Sequence, residues 1–156
     1  MSRRNRRGFT FVELMVVVLV IAILAGMMVM RYIELKHRAL TAQATADMEN
    51  VRLAAFTKFY DTGQWPNAAG PGVMPPELVP YLGAGFSFTR HDYTLEFENF
   101  VPPGGGTTAT YQVAIRFSSS NQNLVNTMIQ VVGDRSPYIV LGSDVAVVLV
   151  GPDGQT

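Results

Sequence analysis

The chain contains no cysteine, which excludes structural disulfides and thiol chemistry. It has two histidines, His37 and His91, and neither stands in a serine or cysteine context that would pair a nucleophile with a base. No sign of charge is in excess, with 12 basic and 12 acidic residues, which argues against a nucleic-acid partner that would need a clustered basic face. Residues 102–106 are glycine-rich but lack the lysine and the strand-to-helix setting of a phosphate loop, so they read as a loose hairpin. No catalytic constellation or cofactor site emerges, and the chain reads as a non-enzyme. Glycine and proline are also missing between Met27 and Thr62, which removes the usual helix breakers from a long segment.

What is present is concentrated at the start. Residues 9–30 are almost unbroken apolar sequence, 22 residues, which as helix span about 33 Å and suffice for a hydrocarbon core of about 30 Å. Arg3, Arg4, Arg6 and Arg7 precede them, so the positive-inside rule puts residues 1–8 in the cytoplasm and everything after Arg31 outside. One residue interrupts the run. Glu13 places a carboxylate a turn inside the span, where insertion costs about 2.5 to 3.5 kcal/mol, so it demands a compensating partner. An ordinary secretory signal peptide, with small residues near Ala22, Ala25 and Gly26, is the competing reading. Its apolar region would be shorter and would have no use for a glutamate.

The stretch from Arg7 through Gly8, Phe9, Thr10, Phe11, Val12 and Glu13 to Leu14 and Met15, with the apolar run after it, resembles the type III signal sequence of bacterial type IV pilins and type II secretion pseudopilins. The resemblance covers about 55 residues. It implies cleavage between Gly8 and Phe9 by a prepilin peptidase, N-methylation of Phe9, and Glu13 as the carboxylate used in assembly. Cleavage would give Phe9 an α-amino cation that a neighbouring subunit's Glu13 could meet, which implies a homo-polymer, or a co-polymer with other pilins or pseudopilins, built by an inner-membrane assembly platform; the local alternative is that Glu13 pairs with its own N-terminus about one turn away, which needs no polymer. Without the leader arginines, 8 basic residues face 12 acidic ones, so the mature chain is mildly acidic. Two departures stand out: Met30 occupies the place where many relatives have proline, and the disulfide of many type IV pilins cannot form here. Asp144 and Asp153 are weak candidates for the calcium that a C-terminal loop holds in some major pseudopilins, and no dense set of oxygen ligands surrounds them.

Helical character continues past the span to about Tyr60, with Gly63 as the stop. Leu40, Ala44, Met48, Val51, Ala55 and Phe59 form one apolar stripe at steps of three and four, on which a globular head should pack. Asp47 and Lys58 are assigned to solvated faces, and Trp65 to a lid over the base of the core. After an irregular proline-rich passage, alternation predicts strands in residues 86–100 and 107–117, joined through 102–106. Leu124, Val125, Met128, Ile129 and Val132 predict a short amphipathic helix ending at Gly133, and residues 138–141 and 145–150 read as two further strands.

The expected architecture is α+β: a cleaved leader (1–8), a membrane-spanning helix (9–30) that becomes the filament core, an amphipathic continuation (31–62), and a small head with an antiparallel sheet (63–156). The expected role is a filament subunit of a type IV pilus or type II secretion pseudopilus. It would be held in the inner membrane with its head periplasmic before assembly. The alternative from a different class is a monomeric, inner-membrane-anchored domain that binds a ligand or exported protein.

Overall fold

A computed structural model describes residues 9–100, 111–133 and 136–154. The chain divides into two units, Met1–Lys36 and His37–Thr156, and helix α1, Phe11–Thr62, contributes to both. The layout is α+β and consistent with a pilin-like fold: a long N-terminal helix and a small four-stranded antiparallel sheet. In the first unit the apolar side chains of α1 are exposed on every side; Val12, Leu14, Val18, Ile21, Leu24 and Met28 are examples. A helix in water hides one apolar stripe, whereas one that meets lipid can be apolar all round. This stretch is long and apolar enough to cross a membrane. Helical backbone continues through position 30.

In the second unit α1 becomes amphipathic. Ala44, Met48, Val51 and Ala55 are buried and Leu40 and Phe59 are half-buried, so the expected stripe does carry the core. The buried face is wider than the stripe and includes Thr41, Asp47, Ala54 and Lys58. Thr41 meets its polar requirement by returning its hydroxyl to the His37 carbonyl, 2.9 Å away. The helix stops where Gly63 adopts φ 71°, and the Gly63 N–H closes on the Phe59 carbonyl at 2.7 Å. A left-handed residue here favours glycine because it has no Cβ to crowd the carbonyl.

The chain then crosses a short 3₁₀ turn, Pro76–Leu78, and sends Leu78, Leu82 and Phe88 into the core. Strands β1 (Thr94–Asn99), β2 (Val113–Ser118), β3 (Tyr138–Leu141) and β4 (Asp144–Val150) form one antiparallel sheet in the order β1-β2-β4-β3. Leu95, Phe97, Val113, Ile115, Phe117, Val145, Val147 and Leu149 join the same core as the buried residues of α1 and of α2 (Gln122–Gly133). Asn121 caps α2, its Oδ1 accepting the N–H groups of Asn123 at 3.1 Å and Leu124 at 3.4 Å. Leu124, Val125, Met128 and Val132 are buried as their spacing predicts.

The first strand is shorter than residues 86–100. Before Thr94 the chain doubles back, with the Arg90 N–H on the Tyr93 carbonyl (2.9 Å) and the Leu95 N–H on the Phe88 carbonyl (2.8 Å). Alternation alone cannot see that turn, because Phe88 and Tyr93 are both apolar and both buried. The expected link at 102–106 and residues 107–110 lie outside the described residues, and the second strand is shorter at its start than expected: Tyr111 and Gln112 are not in strand, and β2 begins at Val113.

Candidate functional site

The sequence draws attention to Gly8, Phe9 and Glu13. Gly8 lies outside the described residues, and Phe9 is almost fully exposed ahead of α1. Glu13 sits in the first turn, and its immediate partner is Thr10. The Glu13 N–H donates to Thr10 Oγ1 at 3.2 Å, while the Thr10 N–H and hydroxyl both donate to Glu13 Oε2 at 2.8 Å. This is a capping box, in which an N-cap threonine and a glutamate three residues on satisfy each other's backbone donors. In an apolar span the exchange matters more than in water, since unpaired N–H groups in lipid cost several kcal/mol. Nothing in the apolar pattern marks Thr10, but the spacing Thr10-Phe11-Val12-Glu13 carries the capping signature. Oε1 of Glu13 accepts no hydrogen bond from the described residues, so one oxygen of the carboxylate is left for a further cation.

Two polar residues of α1 assigned to solvent are instead inside the head. Asp47 is buried and takes a fork from Arg90, with Nε to Oδ2 at 3.0 Å and Nη2 to Oδ1 at 3.3 Å, together with the Tyr93 hydroxyl at 2.7 Å. The arrangement ties the turn before β1 to the helix with charge-assisted bonds. Burial, and then its bond to Asp47, raises the Tyr93 hydroxyl above the usual tyrosine range. Lys58 lays its stem along the core and donates Nζ to the Trp65 carbonyl at 3.0 Å. Trp65 stacks on Phe59 with centroids 4.5 Å apart, which makes it the expected lid. Asp47 and Lys58 look solvated in sequence because only the fold supplies Arg90, Tyr93 and the Trp65 carbonyl.

The outer face of the sheet carries a second polar cluster. Arg116 on β2 pairs with Glu98 on β1, lies 3.6 Å from Glu96, and reaches Asp144 on β4 at 4.0 Å. The Tyr111 hydroxyl donates to Glu98. Burial first, and that bond second, push the Tyr111 hydroxyl up to about 12. Burial also raises Glu96 above the usual carboxylate range, with Arg116 pulling the other way. Asp144 therefore faces an arginine, and Asp153 is exposed in the C-terminal turn. Among the described residues no group of three His, Cys, Asp or Glu could hold a metal ion. His37 Nε2 lies 3.3 Å from Asn121 Nδ2, and His91 is exposed.

A pH test follows from Glu96. Its carboxyl titrates higher in the folded state than in the unfolded chain, so protonation favours folding and the ionised form at pH 7 costs stability. Glu96→Gln is expected to raise the melting temperature at pH 7 by an amount worth less than about 1 kcal/mol. The gain should vanish below about pH 4, where the carboxyl is protonated in both states. A loss of stability at pH 7 would mean that attraction to Arg116 outweighs burial.

Residues 3–29 match the family described as the prokaryotic N-terminal methylation motif. The chain thus carries the type IV pilin and pseudopilin signal, followed by the long N-terminal helix. The motif supports a pilin- or pseudopilin-like substrate of prepilin peptidase, and together with the apolar helix it points to membrane anchoring. No curated protein and no solved structure matches the chain.

Proposed function

We propose that this chain is a structural subunit of a type IV pilus-like or type II secretion pseudopilus filament. In this reading it is cut between Gly8 and Phe9, methylated at Phe9, and polymerised through α1. The observation that carries the reading is Glu13. It is a lone carboxylate in a span whose apolar side chains are exposed all round, and among the described residues its helix start engages one of its oxygens. Bundling such helices hides the apolar surface. A neighbour's Phe9 ammonium can then reach the remaining oxygen, in a low-dielectric setting where the attraction counts for more than in water. The subunit waits in the inner membrane with its head outside, and prepilin peptidase, the assembly platform and other copies or other pilins are its partners. Its work is assembly rather than turnover.

The anchored binding domain has one observation in its favour, a cleft of about 650 Å³ between α1 and α2, walled by Met48, Met128, Val132, Val147 and Leu149. That volume lies within the range of small-molecule sites. Processing and pelleting separate the two readings. The mature protein should begin at a methylated Phe9, eight residues short by mass spectrometry, and sediment as fibres when the assembly machinery is present. Gly8→Val should accumulate as full-length precursor, because a β-branched side chain crowds the scissile peptide. A mature N-terminus near Gly26 would show an ordinary signal peptide instead. Correct processing without fibres would favour the anchored domain.

A further inference from the structure

The cleft of about 650 Å³ in the head is long rather than round. Its α1 wall runs from Arg38 to Arg52, about 21 Å of helix at 1.5 Å per residue. Met128, Val131 and Val132 of α2 face that wall, and Ile115, Val147 and Leu149 of the sheet form the floor. Spread over such a length, the volume makes a channel about one alkyl chain wide. Ala42 and Ala46 line it from exposed positions on α1, and their small side chains leave it open to solvent along that side.

The polar groups of the channel are sorted by place. The threonines of the two helical walls give their protons to their own helices: Thr41 Oγ1 to the His37 carbonyl at 2.9 Å, Thr45 Oγ1 to the Thr41 carbonyl at 2.9 Å, and Thr127 Oγ1 to the Asn123 carbonyl at 2.8 Å. A guest with carbonyls or hydroxyls along its length would leave water for walls whose threonines offer its acceptors no proton, and burial without that exchange is costly. Met48 and Met128 add polarizable side chains that adapt to a flexible apolar guest. Charge is confined to α1, where two arginines, Arg38 and Arg52, stand against one carboxylate, Glu49. Glu49 lies 3.5 Å from Arg52, but both side chains are about half exposed, so their attraction is weak and yields to another anion.

We propose that this cleft binds a single-chain fatty acid, with its tail laid between α1 and α2 on the sheet and its carboxylate at the arginines of the α1 wall. Each part of the ligand answers a feature of the channel. Length and narrowness call for a linear form, the engaged hydroxyls and the methionines for an apolar body, and the surplus arginine for an anionic end. A phospholipid, with two chains side by side, is too wide. Binding here needs neither cleavage after Gly8 nor a polymer, so it is tested apart from the filament reading.

The probe is palmitate with a photoactivatable diazirine in its chain and an alkyne at its end, added to membranes that hold the full chain but no assembly machinery. After illumination and trypsin digestion, residues 117–135 form one peptide that includes the α2 wall. Residues 59–90 form another, which includes the exposed Val73 and Val79 and no part of the cleft. Labelling of 117–135 should exceed that of 59–90 at least about tenfold, and excess unlabelled palmitate should abolish it. Ala46→Trp, which fills the mouth from an exposed position, should lower it at least about fivefold. Arg38→Gln combined with Arg52→Gln should lower labelling by the acid as much and leave labelling by its methyl ester unchanged. If Ala46→Trp fails to fold, competition by unlabelled palmitate on the native chain decides. Equal labelling of the two peptides would show adventitious partition only and overturn the proposal. So would label that survives unlabelled palmitate or a folded Ala46→Trp, an acid probe indifferent to the loss of both arginines, or equally strong labelling by a two-chain phosphatidylglycerol bearing the same diazirine.

Discussion

Replacing Glu13 by glutamine is expected to lower the yield of sheared fibres at least about tenfold, the consequence of losing somewhat more than 1.4 kcal/mol of subunit pairing. Glutamine is the informative choice because of Thr10. Its amide oxygen can still accept the Thr10 N–H and hydroxyl that now meet Oε2, so the helix start survives while the charge is gone. Thr10→Ala is the converse. It removes the hydroxyl that receives the Glu13 N–H and costs about 1 kcal/mol of capping, yet leaves the carboxylate to meet a neighbour's ammonium. If pairing drives assembly, Thr10→Ala retains most of its fibres and Glu13→Gln loses them. Both variants should appear at normal levels in immunoblots of membrane fractions. Normal fibres from Glu13→Gln would mean that the glutamate serves only its own helix start.

Asp47→Ala is expected to cost the head about 2 to 3 kcal/mol, below most of the roughly 3 to 5 kcal/mol for breaking a fully buried ion pair. The reduction from the full cost has a structural cause: the Arg90 side chain is 31% exposed and can turn to water once its partner is gone. Tyr93 has no such escape, because it is buried and its hydroxyl loses the acceptor it reaches at 2.7 Å. A double change, Asp47→Ala with Tyr93→Phe, should therefore recover part of the loss, since it removes the stranded donor as well. Thermal melts of a chain beginning at Arg31 would measure both. Loss of less than about 0.5 kcal/mol from Asp47→Ala would place the aspartate in the class of ordinary surface positions.

Glu13 was legible as a residue that needs a partner because a single carboxylate in an apolar run is a local anomaly. Thr10 is equally local, because an N-cap and the glutamate three residues on lie within one turn. The amphipathic stripe, the stop at Gly63 and the helix ending at Gly133 could be read from spacing because helices are built from neighbours in sequence. Asp47 and Lys58 could not. Their polar character predicts solvent, and only the return of residues 65, 90 and 93 to the same helix provides the hydrogen bonds that make burial tolerable.

Sequence by itself determined that this protein has a basic N-terminal stretch, a membrane-length apolar segment with one acidic residue, an amphipathic continuation and no disulfide. Each of these depends on composition or on contacts within a turn or two. The tertiary structure decided the strand order β1-β2-β4-β3, the charge cluster around Arg116, the clamp at Asp47, and the cleft between α1 and α2. Those features join residues tens of positions apart. Strand periodicity says which side of a sheet a residue faces, while the choice of neighbouring strand depends on how the whole chain returns to its core.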